Sequence, residues 1–120
     1  MFIKMLKSKL HRATVTDTKL HYPGSIAIDS ELMEAADILP YETVLIADLN
    51  NGSRLQTYAI PAQAGCGQVS VLGAAARLIK PKDIIIVFSF GYYSPEEART
   101  IKPRVILLDE NNRIKDTQNE

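Results

Sequence analysis

Two β-prone runs, residues 43–49 and 54–60, flank the turn Asn50-Asn51-Gly52-Ser53, and that turn constrains the fold more than any other stretch. An Asn-Gly pair between alternating segments supplies the left-handed backbone a tight hairpin needs, so the two runs are expected to pair antiparallel. The same rhythm continues on both sides. Residues 2–6, 10–16, 26–28, 68–71, 84–90 and 104–108 favour β-branched and apolar side chains; the turn signal Pro81-Lys82-Asp83 leads into the fifth of these runs and Pro103 precedes the last. Helical signals are brief. Asp29 or Ser30 can cap a short helix through residues 31–36. Ser94-Pro95-Glu96-Glu97 combines a serine cap, a first-turn proline and two acids at the positive end of a helix dipole.

At 120 residues the chain reads as one domain, 1–120, with a polar tail over 110–120 expected to be loose. Many short strands and two small helices predict a mainly β barrel or sandwich, and the pattern alone does not choose between them.

Charge and cysteine content narrow the function classes. The 14 Lys and Arg balance the 14 Asp and Glu, which argues against nucleic-acid binding. Residues 1–20 nevertheless hold Lys4, Lys7, Lys9, Arg12 and Lys19 against Asp17 alone. Lysines on a strand edge discourage aggregation, which is the plain reading of Lys4 and Lys7. Lys9 also suits a substrate carrying carboxylates. Cys66 is the only cysteine, so no intrachain disulfide and no cysteine metal cluster is expected, and between two glycines it reads as a passive thiol. No apolar run reaches transmembrane length, and Met-Phe-Ile-Lys-Met-Leu is too short for the apolar region of a signal peptide. A cytoplasmic protein without membrane contact is therefore expected.

The candidate chemistry centres on Gly24-Ser25, within His21-Tyr22-Pro23-Gly24-Ser25-Ile26-Ala27-Ile28-Asp29. By itself such a pair is a turn. It stands between Lys9-Leu10-His11-Arg12 and, downstream, Asn51-Gly52, Arg54, Thr57-Tyr58-Ala59 and Gly73-Ala74-Ala75-Ala76. On an extended strand Arg54 and Tyr58 share one face and Thr57 points to the other; Lys9 and His11 also share a face. The Arg54 fork suits a carboxylate, and the Tyr58 phenol can deliver a proton. Each also reads as an ordinary surface or packing residue. The small side chains at Gly73, Ala74 and Ala75 fit a tight turn and let backbone N–H groups approach an anion.

In this order and spacing, over residues 1 to about 109, the chain resembles the pyruvoyl-dependent aspartate 1-decarboxylases. The resemblance implies a six-stranded double-psi β-barrel with short helices. It implies self-cleavage between Gly24 and Ser25, giving a small chain 1–24 and a large chain 25–120 whose Ser25 becomes a covalent pyruvoyl group. It implies conversion of L-aspartate to β-alanine and carbon dioxide for pantothenate biosynthesis, in a homotetramer with active sites between subunits. Losing a carboxylate beside an amine leaves a carbanion, which side chains alone do not stabilise, so a carbonyl cofactor is needed. By resemblance Thr57 assists cleavage and binds substrate, Tyr58 is the proton donor, and Gly73, Ala74 and Ala75 bind substrate. Arg54 and Lys9 are candidates for the substrate carboxylates, and His11 for processing or lining the site. One position departs from the pattern: Leu72 stands where these proteins usually carry asparagine. Whether a helper protein assists maturation stays open. The competing readings are a non-catalytic β-barrel recognition module, with Gly24-Ser25 as a turn, and a serine hydrolase, which the lack of a Gly-x-Ser-x-Gly elbow disfavours.

Overall fold

In the computed structural model, which describes residues 1–119, nine strands follow one another: β1 (Ile3–Thr14), β2 (Asp17–Lys19), β3 (Ser25–Asp29), β4 (Thr43–Asp48), β5 (Arg54–Ala62), β6 (Val69–Leu72), β7 (Ile84–Tyr93), β8 (Arg104–Leu108) and β9 (Ile114–Asn119). Two short helices, α1 (Ser30–Ala35) and α2 (Pro95–Thr100), and a 3-10 turn over Gly73–Arg77 complete the described residues. The expectation of a mainly β chain with short helices holds. The strands neighbour one another in the order β2-β6-β3-β5-β4-β7-β1-β8-β9.

Alternation sets which side of each strand faces the core. β4 buries Val44, Ile46 and Asp48, while β7 buries Ile85, Val87 and Ser89. β3 and β6 are buried at every position, with Ile26, Ile28, Val69 and Val71 fully enclosed. Burying one such side chain contributes roughly 1.5–3 kcal/mol. Beyond Thr14 the chain turns onto β6: the Thr16 N–H donates to the Val69 carbonyl at 2.8 Å, and the Val69 N–H donates to Thr16 Oγ1 at 3.0 Å. β2 then continues parallel to β6, from Asp17 opposite Ser70 to Lys19 opposite Leu72.

Four local details differ from the sequence expectations. The runs at 2–6 and 10–16 are one strand, β1, whose register against β7 shifts between Leu6 and Ser8 and again between Leu10 and Ala13. The first irregularity frees Lys7 from the ladder. Its ammonium reaches the Glu42 carboxylate at 3.0 Å and the Asp37 carbonyl at 2.6 Å, so it is not a solvated edge lysine; Lys4 lies 4.8 Å from the centre of the Phe90 ring. In the β4–β5 turn only Gly52 is left-handed, at φ +77°. Asn51 works through its side chain instead, with Oδ1 accepting from the Ser53 N–H at 2.8 Å and Nδ2 donating to the Leu78 carbonyl at 2.7 Å.

The fourth difference is the tail. The stretch expected to be loose contains β9, antiparallel to β8. Its side chains through Gln118 are exposed, so no apolar pattern marked it; backbone ladder bonds hold it. The buried Asn112 anchors its approach by donating to the Thr14 and Gly67 carbonyls, both at 2.8 Å, and accepting from the Thr14 N–H at 2.7 Å.

Asp29 closes β3 and starts α1. Its carboxylate accepts from the Glu31 N–H at 2.9 Å and from the Gly65 and Gly67 N–H groups at 3.0 and 2.8 Å. Burial pushes its pKa up, but these backbone donors outweigh it and the net shift is downward. No helix among the described residues is long and apolar enough to cross a membrane.

Candidate active site

The site grows from the start of β3. Ser25 is the first residue of that strand, 3% exposed, and pairs with Leu72 on β6. On its other side β3 runs parallel to β5, with Ile26 opposite Ala59. Counting back two residues on each strand brings Gly24 and Thr57 to the same end. Both line one pocket of about 320 Å³, together with Leu55, Gln56, Leu72, Ala74, Ala75 and Leu78.

The 3-10 turn closes the pocket from below, and Gly73 decides how closely. Its φ is +84°, a conformation that side chains rarely adopt. A Cβ built there would fall 2.6 Å from Gly24 Cα, 2.9 Å from Gly24 N and 2.9 Å from the Tyr22 carbonyl oxygen. The segment before Ser25 thus rests directly on the Gly73 backbone. Gly24 itself is different: a Cβ there would meet nothing within 4 Å. Packing therefore demands glycine at 73, and around Gly24 the space is open. On the far side of the segment, Lys19 Nζ lies 4.9 Å from the centre of the Tyr22 ring.

The candidate residues divide between two faces. Thr57 lines the pocket with Gly24, Ala74 and Ala75, so its facing toward Gly24 needs no twist or bulge. Exposure along β5 alternates, with Arg54, Gln56 and Tyr58 on the outer side. There the Arg54 guanidinium lies 5.7 Å from the centre of the Phe88 ring, and Phe88 is the cross-strand partner of Lys9. Lys9 and Arg54 therefore flank one aromatic ring on the outer face. Tyr58 lies beyond them, its ring centre 6.2 Å from that of Tyr41. His11 is half-buried and sits opposite Leu107 of β8. Within one chain, neither Lys9, His11, Arg54 nor Tyr58 lines the pocket at Gly24.

Leu55, Leu78 and Tyr41 were not anticipated. Strand alternation signals Leu55, which shares a face with Thr57. Nothing local signals Leu78 or Tyr41, because tertiary contacts bring them in.

A small, mainly β chain with a buried serine on a tightly supported glycine segment is the class of protein that these features define. Comparison with known proteins makes it specific. The family model described as aspartate decarboxylase matches residues 1–115, and the chain belongs to that family. An aspartate 1-decarboxylase of Moorella thermoacetica is 61% identical over 110 residues, covering 92% of this chain and 86% of its own length. Relatives of the same name from Acetivibrio thermocellus and Pelotomaculum thermopropionicum are 51% and 53% identical, covering 100% and 95% of this chain and 95% and 86% of their own lengths.

Proposed function

We propose that this chain is a self-processing aspartate 1-decarboxylase that converts L-aspartate to β-alanine and carbon dioxide for pantothenate biosynthesis, using a pyruvoyl group made from Ser25. The family membership supports the reaction. The observation that carries the site is the seating of Gly24 on Gly73 beside Thr57. The pocket suits the group: the cradle at Gly73 is one that a Cβ would fill, and Ser25 lies buried at its edge.

In processing, Ser25 Oγ attacks the Gly24 carbonyl carbon and the Gly24–Ser25 C–N bond breaks, leaving an ester and a free amine. Loss of the Ser25 Cα proton expels the Gly24 carboxylate, and water then replaces the nitrogen, releasing ammonia and leaving the ketone. Thr57 would hold the Gly24 oxygen as charge develops; one such donor is worth about 10²–10³ in rate. Once formed, the group supplies the electron sink that decarboxylation beside an amine requires. The remaining work falls to side chains. Gly73, Ala74 and Ala75 line the substrate space, Arg54 and Lys9 hold its carboxylates, and Tyr58 returns a proton to the carbon that loses carbon dioxide. His11 borders this set.

Because Arg54, Tyr58 and Lys9 do not line the pocket at Gly24 of their own chain, the reading has them reach the site of a neighbouring copy. We therefore assign a homotetramer with shared sites. β1 with β2, and β3 to β7, would wrap as a six-stranded double-psi barrel. The bonds between Thr16 and Val69, which join the end of β1 to β6, support that closure.

Intact mass spectrometry tests the processing. Mature protein should show a 24-residue fragment and a 96-residue fragment (120 minus 24) beginning at the modified Ser25, while Ser25→Ala stays whole and inactive. An active enzyme that remains full-length after prolonged incubation would refute the mechanism. Native mass spectrometry with an activity dilution series tests the sharing of sites, since a fully active monomer would exclude it.

A further inference from the structure

Tyr41 combines three features that ordinary surface residues lack. It is a bulky side chain in the left-handed region, at φ +70°, a conformation disfavoured on the order of tenfold for a residue of this kind. It is 75% exposed on the single chain, so no packing within the chain accounts for that strain. Its ring meets the ring of Tyr58, centres 6.2 Å apart and planes tilted by 36°.

The backbone explains how the strain is held. The Tyr41 N–H donates to the Ala59 carbonyl at 2.7 Å, and the Ala59 N–H donates to the Glu42 carbonyl at 3.0 Å. Residues 41 and 42 are thus laced to the residue immediately after Tyr58. This lacing and the left-handed turn together carry the Tyr41 ring to the side of the Tyr58 ring. Strained conformations cluster where the surrounding structure uses them.

We infer that Tyr41 is a positioning residue for Tyr58, limiting the rotation of its phenol on the outer face of β5. This rests on the reading of Tyr58 as proton donor. A ring pair of this kind favours one arrangement by about two- to tenfold. A loosened phenol would spend correspondingly less time aligned with the reacting carbon.

Two variants separate the ring from the backbone. Tyr41→Asn removes the ring and suits the left-handed turn, since asparagine is enriched there. Tyr41→Phe keeps the ring. Both should self-cleave like the parent. Tyr41→Asn should lower kcat by about three- to tenfold with KM for aspartate unchanged, without loss of thermal stability; Tyr41→Phe should restore kcat. The second measurement needs no active enzyme. In Ser25→Ala protein carrying fluorinated tyrosine, the Tyr58 signal, identified by its disappearance in Tyr58→Phe, should shift toward that of a freely rotating ring in Tyr41→Asn and stay in place in Tyr41→Phe. Parent kcat in Tyr41→Asn, or a Tyr58 signal that does not move, overturns the inference. Parent turnover in a processed Tyr58→Phe overturns the proton-donor reading instead, and the fluorine signal then still reports whether Tyr41 orders the ring.

Discussion

Replacing Gly73 by alanine should stall maturation, and the size of the effect follows from the contact beneath Gly24. The new Cβ would meet Gly24 Cα at 2.6 Å, whereas ordinary contact begins at 3.4 Å, so one backbone must move by about 0.8 Å. None of the three contact atoms belongs to a flexible side chain, so the shift falls on the segment proposed to be cut. A misplacement of about 1 Å costs on the order of 10²-fold in a reaction that depends on alignment. Left-handed strain adds about 1–2 kcal/mol of lost stability, and the overpacking about 1–3 kcal/mol more. Gly52→Ala provides the control. Gly52 has a similar φ of +77°, but a Cβ there meets nothing within 4 Å. It should show the strain without the slowed cleavage. The assay is a time course of intact mass after rapid purification of the precursor, with thermal denaturation of both variants. If Gly73→Ala matures as fast as the parent, or is slowed no more than Gly52→Ala, the close approach does not align the cleavage site.

Leu72 lines the pocket and pairs with Ser25, where the family resemblance leads one to expect asparagine; Leu72→Asn should mature at least as fast as the parent in the same time course, and slower maturation would mean that the apolar wall of Leu55, Leu72 and Leu78 has adapted to leucine. Asp48 is buried, and burial followed by the neighbouring Asp83 carboxyl raises its pKa. A raised native pKa stabilises the fold below the unfolded value and loses that contribution as pH rises through the native one. Asp48→Asn can still accept the Asn50 N–H bond and should raise the melting temperature by a few degrees at pH 7, a gain that shrinks toward pH 4. Asp29 has the opposite sign: its lowered pKa stabilises at neutral pH, and that contribution fades as acid protonates it.

Much of the strand content was legible because strand and turn chemistry are local. The Asn-Gly turn, the Ser94 cap and most of the apolar runs each carry their signal within a few residues and fall where expected, although the runs 2–6 and 10–16 join into one strand. The alternation along β5 likewise separated Thr57 from Arg54 and Tyr58 before any contact was known. β9 was not legible, since an exposed edge strand depends on ladder bonds to β8 and needs no apolar pattern. The order and spacing of short motifs along the chain pointed to the family.

Tertiary structure decided what those residues can do together. It seats Gly24 on Gly73, 49 positions later, because antiparallel pairing sets the start of β3 beside the end of β6. It places the packing demand for glycine at Gly73 rather than at Gly24. It also leaves Thr57 in the pocket at Gly24 while Lys9, Arg54 and Tyr58 share the outer surface. Sequence alone determined which chemical groups are present and which strand faces they occupy, because backbone geometry is local. Which groups meet depends on strand pairing between distant segments, and only the folded sheet sets that pairing.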